Sequence, residues 1–350
     1  MTLKNLGRRT MKFILSVLVV AIAMAFPHGG FAASKPDEVV VCYLSLVNSQ
    51  LVTKNQKYHE AEMGVPVKWV RFSSGGKVNT AMASGSCDFG NLGLPPSTIG
   101  LAGGLDYWGI YNANVLGAVE GMAGKKSIKT IADLKGKTVV APFGSTTHYL
   151  LLQAITDAGL DVVKDKIKVL DMSPGDALAS FIRGDIDAAW IWEPSLNKMV
   201  EQGGHIIKHS GNMGDEGYIT WDVISVKPEF AKKYPEYVKK FVKSELKATD
   251  FWHRNPEETA LIVKDELGGI TVEDAKRMIE GTILLNISGQ LSPDMLGSSK
   301  KKGRHAEQVV AVSEFLVSQK RIRKAVTLEQ ARAWLHPEFL EAVHAEMWGK

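Results

Sequence analysis

Cysteine is scarce, long apolar runs are absent, and basic charge disappears once the N-terminus is set aside. Only Cys42 and Cys87 occur in 350 residues, with no neighbouring His, which makes a poor zinc site. Buried free Cys is among the commonest core residues, so two buried thiols are expected rather than a bridge. The uncharged run Phe13–Phe26 has 14 residues, short of the roughly 18–20 needed to cross hydrocarbon, and no later stretch is long and apolar enough to do so. Lys4, Arg8, Arg9 and Lys12 are the only charged residues before Lys35; without them the 42 Lys and Arg fall to 38, equal to the 38 Asp and Glu. A neutral chain of 45% hydrophobic and 23% charged residues excludes intrinsic disorder, a basic membrane-surface protein and a nucleic-acid binder.

Enzyme signatures are also missing. There is no Gly-x-Ser-x-Gly elbow, no His-Glu-x-x-His and no Cys cluster. Gly124-Lys125-Lys126-Ser127 and Gly136-Lys137-Thr138 each resemble the end of a phosphate loop. The first has Lys126 where Ser or Thr belongs, and the second has Ile131 where the leading Gly belongs. His148 lacks a partner acid or nucleophile and reads as a hydrogen-bond donor. No catalysis, cofactor or metal is expected.

What is present begins with an export pattern: a basic region to Lys12, the apolar run, then Gly30-Phe31-Ala32-Ala33. Residues 1–32 are expected to be a cleaved signal peptide on the general secretion route, with no Cys near the cleavage point for a lipid anchor. Beyond it, short apolar runs alternate with segments of helical spacing. Strands are expected at Val39–Tyr43, Val67–Phe72, Cys87–Gly90, Thr138–Ala141, Ile167–Leu170 and Ala188–Trp192. Helices are expected near Gln56–Glu62, Lys77–Ala83, His148–Ala158 and Gly175–Arg183. This is the pattern of parallel sheets with crossover helices, so the fold class is α/β. At 350 residues the chain is too long for one core, since single cores stop growing near roughly 250–300 residues. From about Pro228 the texture becomes helical and strand-poor: Pro235–Arg254, Pro256–Glu266, Val272–Leu284, His305–Gln319 and Leu328–Trp334. The basic loop Gly297–Arg304 reads as a solvated loop.

Ligands in such sheets bind beyond the carboxyl ends of strands, where helix starts converge. The turn Phe72-Ser73-Ser74-Gly75-Gly76 offers backbone N–H groups and hydroxyls at a helix start, which suits an anion. Pro142-Phe143-Gly144-Ser145-Thr146-Thr147-His148 repeats that logic, and Gly90-Asn91-Leu92-Gly93 lets backbone approach a ligand. Acids stand at Trp192-Glu193-Pro194 and Trp221-Asp222-Val223, where an aromatic wall and a carboxylate suit an ammonium group. Taken singly, each turn also fits a plain N-cap, and each Trp–acid pair fits a packed aromatic beside a surface acid. Together they point to a small zwitterion.

Several segments carry a family resemblance: Arg71-Phe-Ser-Ser-Gly75, Ala81-Met-Ala-Ser-Gly85, Gly90-Asn-Leu-Gly93, Pro142-Phe-Gly-Ser-Thr-Thr-His-Tyr149, Arg183-Gly-Asp-Ile-Asp-Ala188, Trp192-Glu-Pro194 and Asp222-Val223. In these the chain resembles the taurine-binding proteins of bacterial ABC uptake systems, within the wider group of sulfonate-, nitrate- and pyrimidine-type solute-binding proteins. The resemblance implies a two-lobed periplasmic binding protein of type II, α/β with mixed, mainly parallel sheets and a helical C-terminal tail. Lobe 1 would comprise residues 33–119 and 224–350, and lobe 2 residues 120–223, with crossovers near Ala118–Gly121 and Val223–Val226. A sulfonate would meet Ser73, Ser74, Asn91 and Ser145, Thr146, Thr147 and His148; an amine would meet Asp222 and Glu193. Ser45, in the first turn, and the Trp192 wall complete the expected set. The implied protein is a periplasmic monomer that passes a small zwitterionic or anionic solute, taurine first, to an ABC permease in the cytoplasmic membrane. Alternatives are another solute on the same scaffold (an alkanesulfonate, nitrate or an amino-pyrimidine) or a secreted enzyme using His148.

Overall fold

The computed structural model describes residues 35–348, so the expected signal peptide lies outside the described residues. The strands in chain order are β1 (Val39–Leu44), β2 (Val67–Phe72), β3 (Phe89–Gly93), β4 (Trp108–Val115), β5 (Glu120–Gly124), β6 (Thr138–Val140), β7 (Lys168–Leu170), β8 (Ala188–Trp192), β9 (His205–His209) and β10 (Trp221–Val226). They form two five-stranded sheets, ordered β2-β1-β3-β10-β4 and β7-β6-β8-β5-β9. Each sheet repeats one plan. Three parallel strands (β2, β1, β3, or β7, β6, β8) are followed by one antiparallel strand, β10 or β5, and an edge strand that pairs antiparallel to it. The fold is two-lobed α/β, as expected. Apolar β1 (VVVCYL) and β8 (AAWIW) are the near-continuous runs of strands covered on both faces.

The chain passes from the first sheet to the second between Val115 and Glu120 and returns between His209 and Trp221. The two passages are tied together by Leu116 N–H donating to the Thr220 carbonyl at 2.9 Å. β10 pairs with β3 and β4 along its length, so the chain is already in the first sheet at Trp221, ahead of the expected Val223–Val226 crossover. Both antiparallel strands therefore begin where the chain enters a sheet, and each carries an acid within its first two residues: Glu120 opens β5 and Asp222 is second in β10. Their register partners are Trp192 and Gly93, the last residues of β8 and β3. Two carboxylates thus stand at the carboxyl ends of the central parallel strands, where an open α/β sheet binds its ligand.

Local sequence explains the helices around this point. Thr146–Asp157 starts where the Ser145 hydroxyl accepts from His148 N–H, and Pro174–Arg183 starts on Ser173 and stops at Gly184, whose φ of 84° suits glycine. In Pro235–Arg254 the buried positions Val238, Phe241, Val242 and Leu246 repeat at helical spacing. That face packs on the helices Ser49–Asn55 and Tyr58–Met63, with Phe241 stacked 3.9 Å from Phe89. His305–Ser318 packs on the helix Leu94–Ala102.

Three expectations need correction. Cys42 and Cys87 form a disulfide rather than two thiols. Cys42 lies in β1, and Cys87 precedes β3, which pairs beside β1; the two Cα atoms are 5.8 Å apart, within bridging reach. The helix expected over Gln56–Glu62 is split: one helix ends at Asn55 and another starts at Tyr58, with Lys57 between them at φ 52°. Val272–Leu284 stops at Glu280 because Gly281 caps it. The strands β4, β5 and β9 and the helix Leu94–Ala102 add to the elements that the sequence pattern marks.

Candidate functional site

Three helix starts and three strand ends close around a cavity of about 40 Å³. Gly75 brings the start of the helix Gly75–Ala83, Gly93 and Pro96 that of Leu94–Ala102, and Ser145 and Thr146 that of Thr146–Asp157. Strand ends contribute Trp192, Glu120 and Asp222, and β4 contributes Asn114. No Lys, Arg or His is among the lining residues.

Glu120 is held at both oxygens by hydroxyls: Thr146 Oγ1 donates to Oε2 at 2.5 Å and Ser210 Oγ to Oε1 at 2.7 Å. Burial pushes its carboxyl up to about 8; the Ser210 and Thr146 hydrogen bonds pull the other way, and the Asp222 charge adds to the rise. Asp222 is pushed up to about 7 by burial, opposed by a hydrogen bond from the Asn114 side chain. That amide is oriented from behind, since Asn48 Nδ2 donates to Asn114 Oδ1 at 3.2 Å and Asn48 itself caps the helix Ser49–Asn55. Asp222 Oδ2 is buried and has no hydrogen-bond partner. Two buried acids, supplied with hydroxyl and amide donors, thus share one cavity, and no cation is among its described lining residues.

Of the residues expected from sequence, Ser145, Thr146, Trp192, Glu193 and Asp222 line this cavity. Ser45 and Ser73 line an adjoining cleft of about 640 Å³ that shares Leu44, Trp192 and Glu193 with it. Ser74, Asn91, Thr147 and His148 line neither space. Ser74 is the N-cap of Gly75–Ala83. Asn91 is fully buried in β3, its Nδ2 donating to Gln50 Oε1 at 2.6 Å. Thr147 shares a hydrogen bond with Ser145 at 2.7 Å. His148 accepts from Gly144 N–H through Nδ1 and stacks on Phe143 at 4.5 Å. Burial, with the Arg321 charge, depresses it to about 4, so it is neutral.

Glu193 is already satisfied: Arg277 Nη1 donates to Oε1 at 2.6 Å and Asn197 N–H to Oε2 at 3.0 Å. The second buried acid that lacks a protein cation among the described residues is Glu120, held by hydroxyls alone; the sequence motifs do not mark it. A signal existed, because Glu120 is the only charged residue between Asp106 and Lys125, just as Asp222 is the only one between Glu216 and Lys227. Among the described residues no group of three or more His, Cys, Asp or Glu is placed to hold a metal ion.

Comparison with known proteins agrees with this architecture. The family model described as NMT1/THI5 like matches residues 50–259. The taurine-binding periplasmic protein of Escherichia coli K12 is 30% identical over 81% of this chain and 87% of its own length. A putative aliphatic sulfonates-binding protein of the same organism is 30% identical over 61% of this chain and 66% of its own. Among solved structures, the alkanesulfonate-binding protein SsuA from Xanthomonas axonopodis pv. citri, bound to MOPS, superposes with a TM-score of 0.71 at 21% identity, covering 87% of this chain and 99% of that one. The chain therefore belongs to the NMT1/THI5-like family and is a solute-binding protein of an ABC importer, in the group that contains the taurine- and sulfonate-binding proteins.

Proposed function

We propose that the solute is a small aminosulfonate, taurine first, with its ammonium group between Glu120 and Asp222. The observation that carries this reading is the pair of buried carboxylates in one cavity without a protein cation. A plain alkanesulfonate or nitrate brings no cation to offset ionisation of the buried Glu120 and Asp222, whereas an ammonium group does. Trp192 supplies the wall, Thr146 and Asn114 hold the carboxylates, and Ser45 and Ser73 lie toward the anionic end in the adjoining cleft. Ser74 serves through the helix start it caps. Asn91, Thr147, His148 and Glu193 act as supports, because their polar atoms are engaged within the protein.

The lobes follow the sheets: residues 36–119 with 221–348 form one and residues 120–220 the other, which moves β10 wholly into the first. Closure between them buries the solute and shifts an open–closed equilibrium. The processed protein works as a monomer in the periplasm and delivers the solute to a permease in the cytoplasmic membrane.

Calorimetric titration with taurine, ethanesulfonate and nitrate at neutral pH tests the reading. Taurine should bind at least roughly tenfold tighter than ethanesulfonate, the difference made by one charge-assisted contact. Equal or tighter binding of ethanesulfonate or nitrate would refute the ammonium site.

A further inference from the structure

We propose that Arg71 and Lys77, in the cleft outside the cavity, hold the anionic end of a zwitterionic solute whose ammonium lies between Glu120 and Asp222. The inference rests on the aminosulfonate reading and adds to it an orientation and a length rule. The cavity and the cleft share Leu44, Trp192 and Glu193, so they adjoin at these side chains. Their charges are opposite. Arg71 and Lys77 line the cleft, and among the described residues neither is in an ion pair. Glu193, the only carboxylate lining the cleft among the described residues, is neutralised by Arg277.

Lys77 also stands in the first turn of Gly75–Ala83, where the helix dipole disfavours a cation. Its Nζ donates to Ser73 Oγ at 2.9 Å, which keeps it at that helix start. A bound anion relieves the unfavourable placement, because it meets both the ammonium and the helix N-terminus. The inner cavity, at about 40 Å³, admits the ammonium and the first carbons, while the Glu120 and Asp222 charges repel the sulfonate from it. The sulfonate is therefore directed outward, to the planar guanidinium of Arg71 and the point charge of Lys77. The roughly sixteenfold larger cleft, about 640 Å³ against 40 Å³, leaves room for a longer spacer. The solute class is thus ω-aminoalkanesulfonates, with 3-aminopropanesulfonate accepted beside taurine.

The test is calorimetry of the full mature protein and of its Arg71→Gln, Lys77→Gln and doubly substituted forms, at low and high salt. The probes are taurine, 3-aminopropanesulfonate and 2-aminoethanol, which carries the ammonium without the anion. Both side chains are exposed, so the melting temperature of each variant should match the parent. In the double variant the affinity for both aminosulfonates should fall roughly tenfold or more, and its salt dependence should flatten. Binding of 2-aminoethanol should not change. If the parent binds taurine and the double variant binds it equally well with the same salt dependence, the anion lies elsewhere and the inference fails alone. An equal loss for 2-aminoethanol also overturns it. If the parent binds no aminosulfonate, the underlying reading falls and takes the inference with it.

Discussion

Replacing Glu120 by Gln should make the ligand-free protein more stable at alkaline pH while weakening solute capture. In the folded chain burial raises this carboxyl from its ordinary 4.5 to about 8. The folded state therefore keeps a proton that the unfolded state has already lost, and stability falls as pH rises between these values. The slope is about 1.4 kcal/mol per pH unit, levelling off at roughly 4–5 kcal/mol above pH 8. Asp222, raised from 3.8 to about 7, adds a fall of the same sign over its own window. Gln at position 120 carries no charge to desolvate, and its amide can bond the Thr146 and Ser210 hydroxyls that now serve the carboxylate. Denaturant unfolding at pH 5, 6.5 and 8 should show the two proteins nearly equal at the lowest pH. At pH 8 the variant should be more stable by about 2–4 kcal/mol, with taurine affinity reduced by roughly ten- to a hundredfold. A variant with the parental pH slope, or one less stable at pH 8, would show that Glu120 is not a strained buried acid.

Other perturbations have separate outcomes. A Cβ at Gly93 would stand 3.0 Å from Thr146 Cγ2 and 3.1 Å from Asp222 Oδ1, so Gly93→Ala should cut solute affinity at least roughly tenfold in calorimetry. Its unfolding free energy should change by only about 1 kcal/mol, because the crowding falls on the cavity wall. Arg277→Ala leaves buried Glu193 without its cation, and thermal denaturation should show a loss of about 1–3 kcal/mol. Replacing both Cys42 and Cys87 by Ala opens a loop of 45 residues and should lower denaturant stability by about 2–4 kcal/mol, with solute affinity retained.

The sequence was legible where burial on both faces or helical spacing left a plain pattern. β2, β8, Pro235–Arg254 and Leu328–Trp334 have the bounds expected of them. The strands that escaped notice are those whose composition answers to neighbours distant in the chain. β4 (WGIYNANV) carries Asn112 and Asn114, poor strand formers, because the Asn112 side-chain amide meets His305 Nε2 at 3.0 Å and Asn114 holds Asp222. β5 (EGMAG) is rich in glycine, since a Cβ at Gly121 would come within 2.8 Å of the Lys208 carbonyl. The disulfide escaped for a similar reason: the Cys42–Cys87 spacing says nothing until β1 and β3 are known to be neighbours. In the site, Asp222 was readable as a lone acid in an apolar run. The identity of its companion was not, because Glu193 has an aromatic beside it in sequence, whereas Glu120 meets Trp192 only through the pairing of β5 with β8. The Ser145–His148 turn is legible in the sequence, but its hydroxyls are spent on Glu120, Pro142 and one another, and its imidazole accepts from Gly144 N–H.

The ammonium site itself is tested most directly by counting protons. Near pH 7 the ligand-free Glu120 and Asp222 together retain protons, since burial has raised them to about 8 and about 7. An ammonium group between them drives ionisation of both. Calorimetric titration of the mature protein with taurine at pH 7, in two buffers of different ionisation enthalpy, should report release of roughly 1–1.5 protons per solute bound. The release should vanish in the Glu120→Gln, Asp222→Asn double variant. Heat that is the same in both buffers, or no heat at all, would contradict an ammonium held by this carboxylate pair.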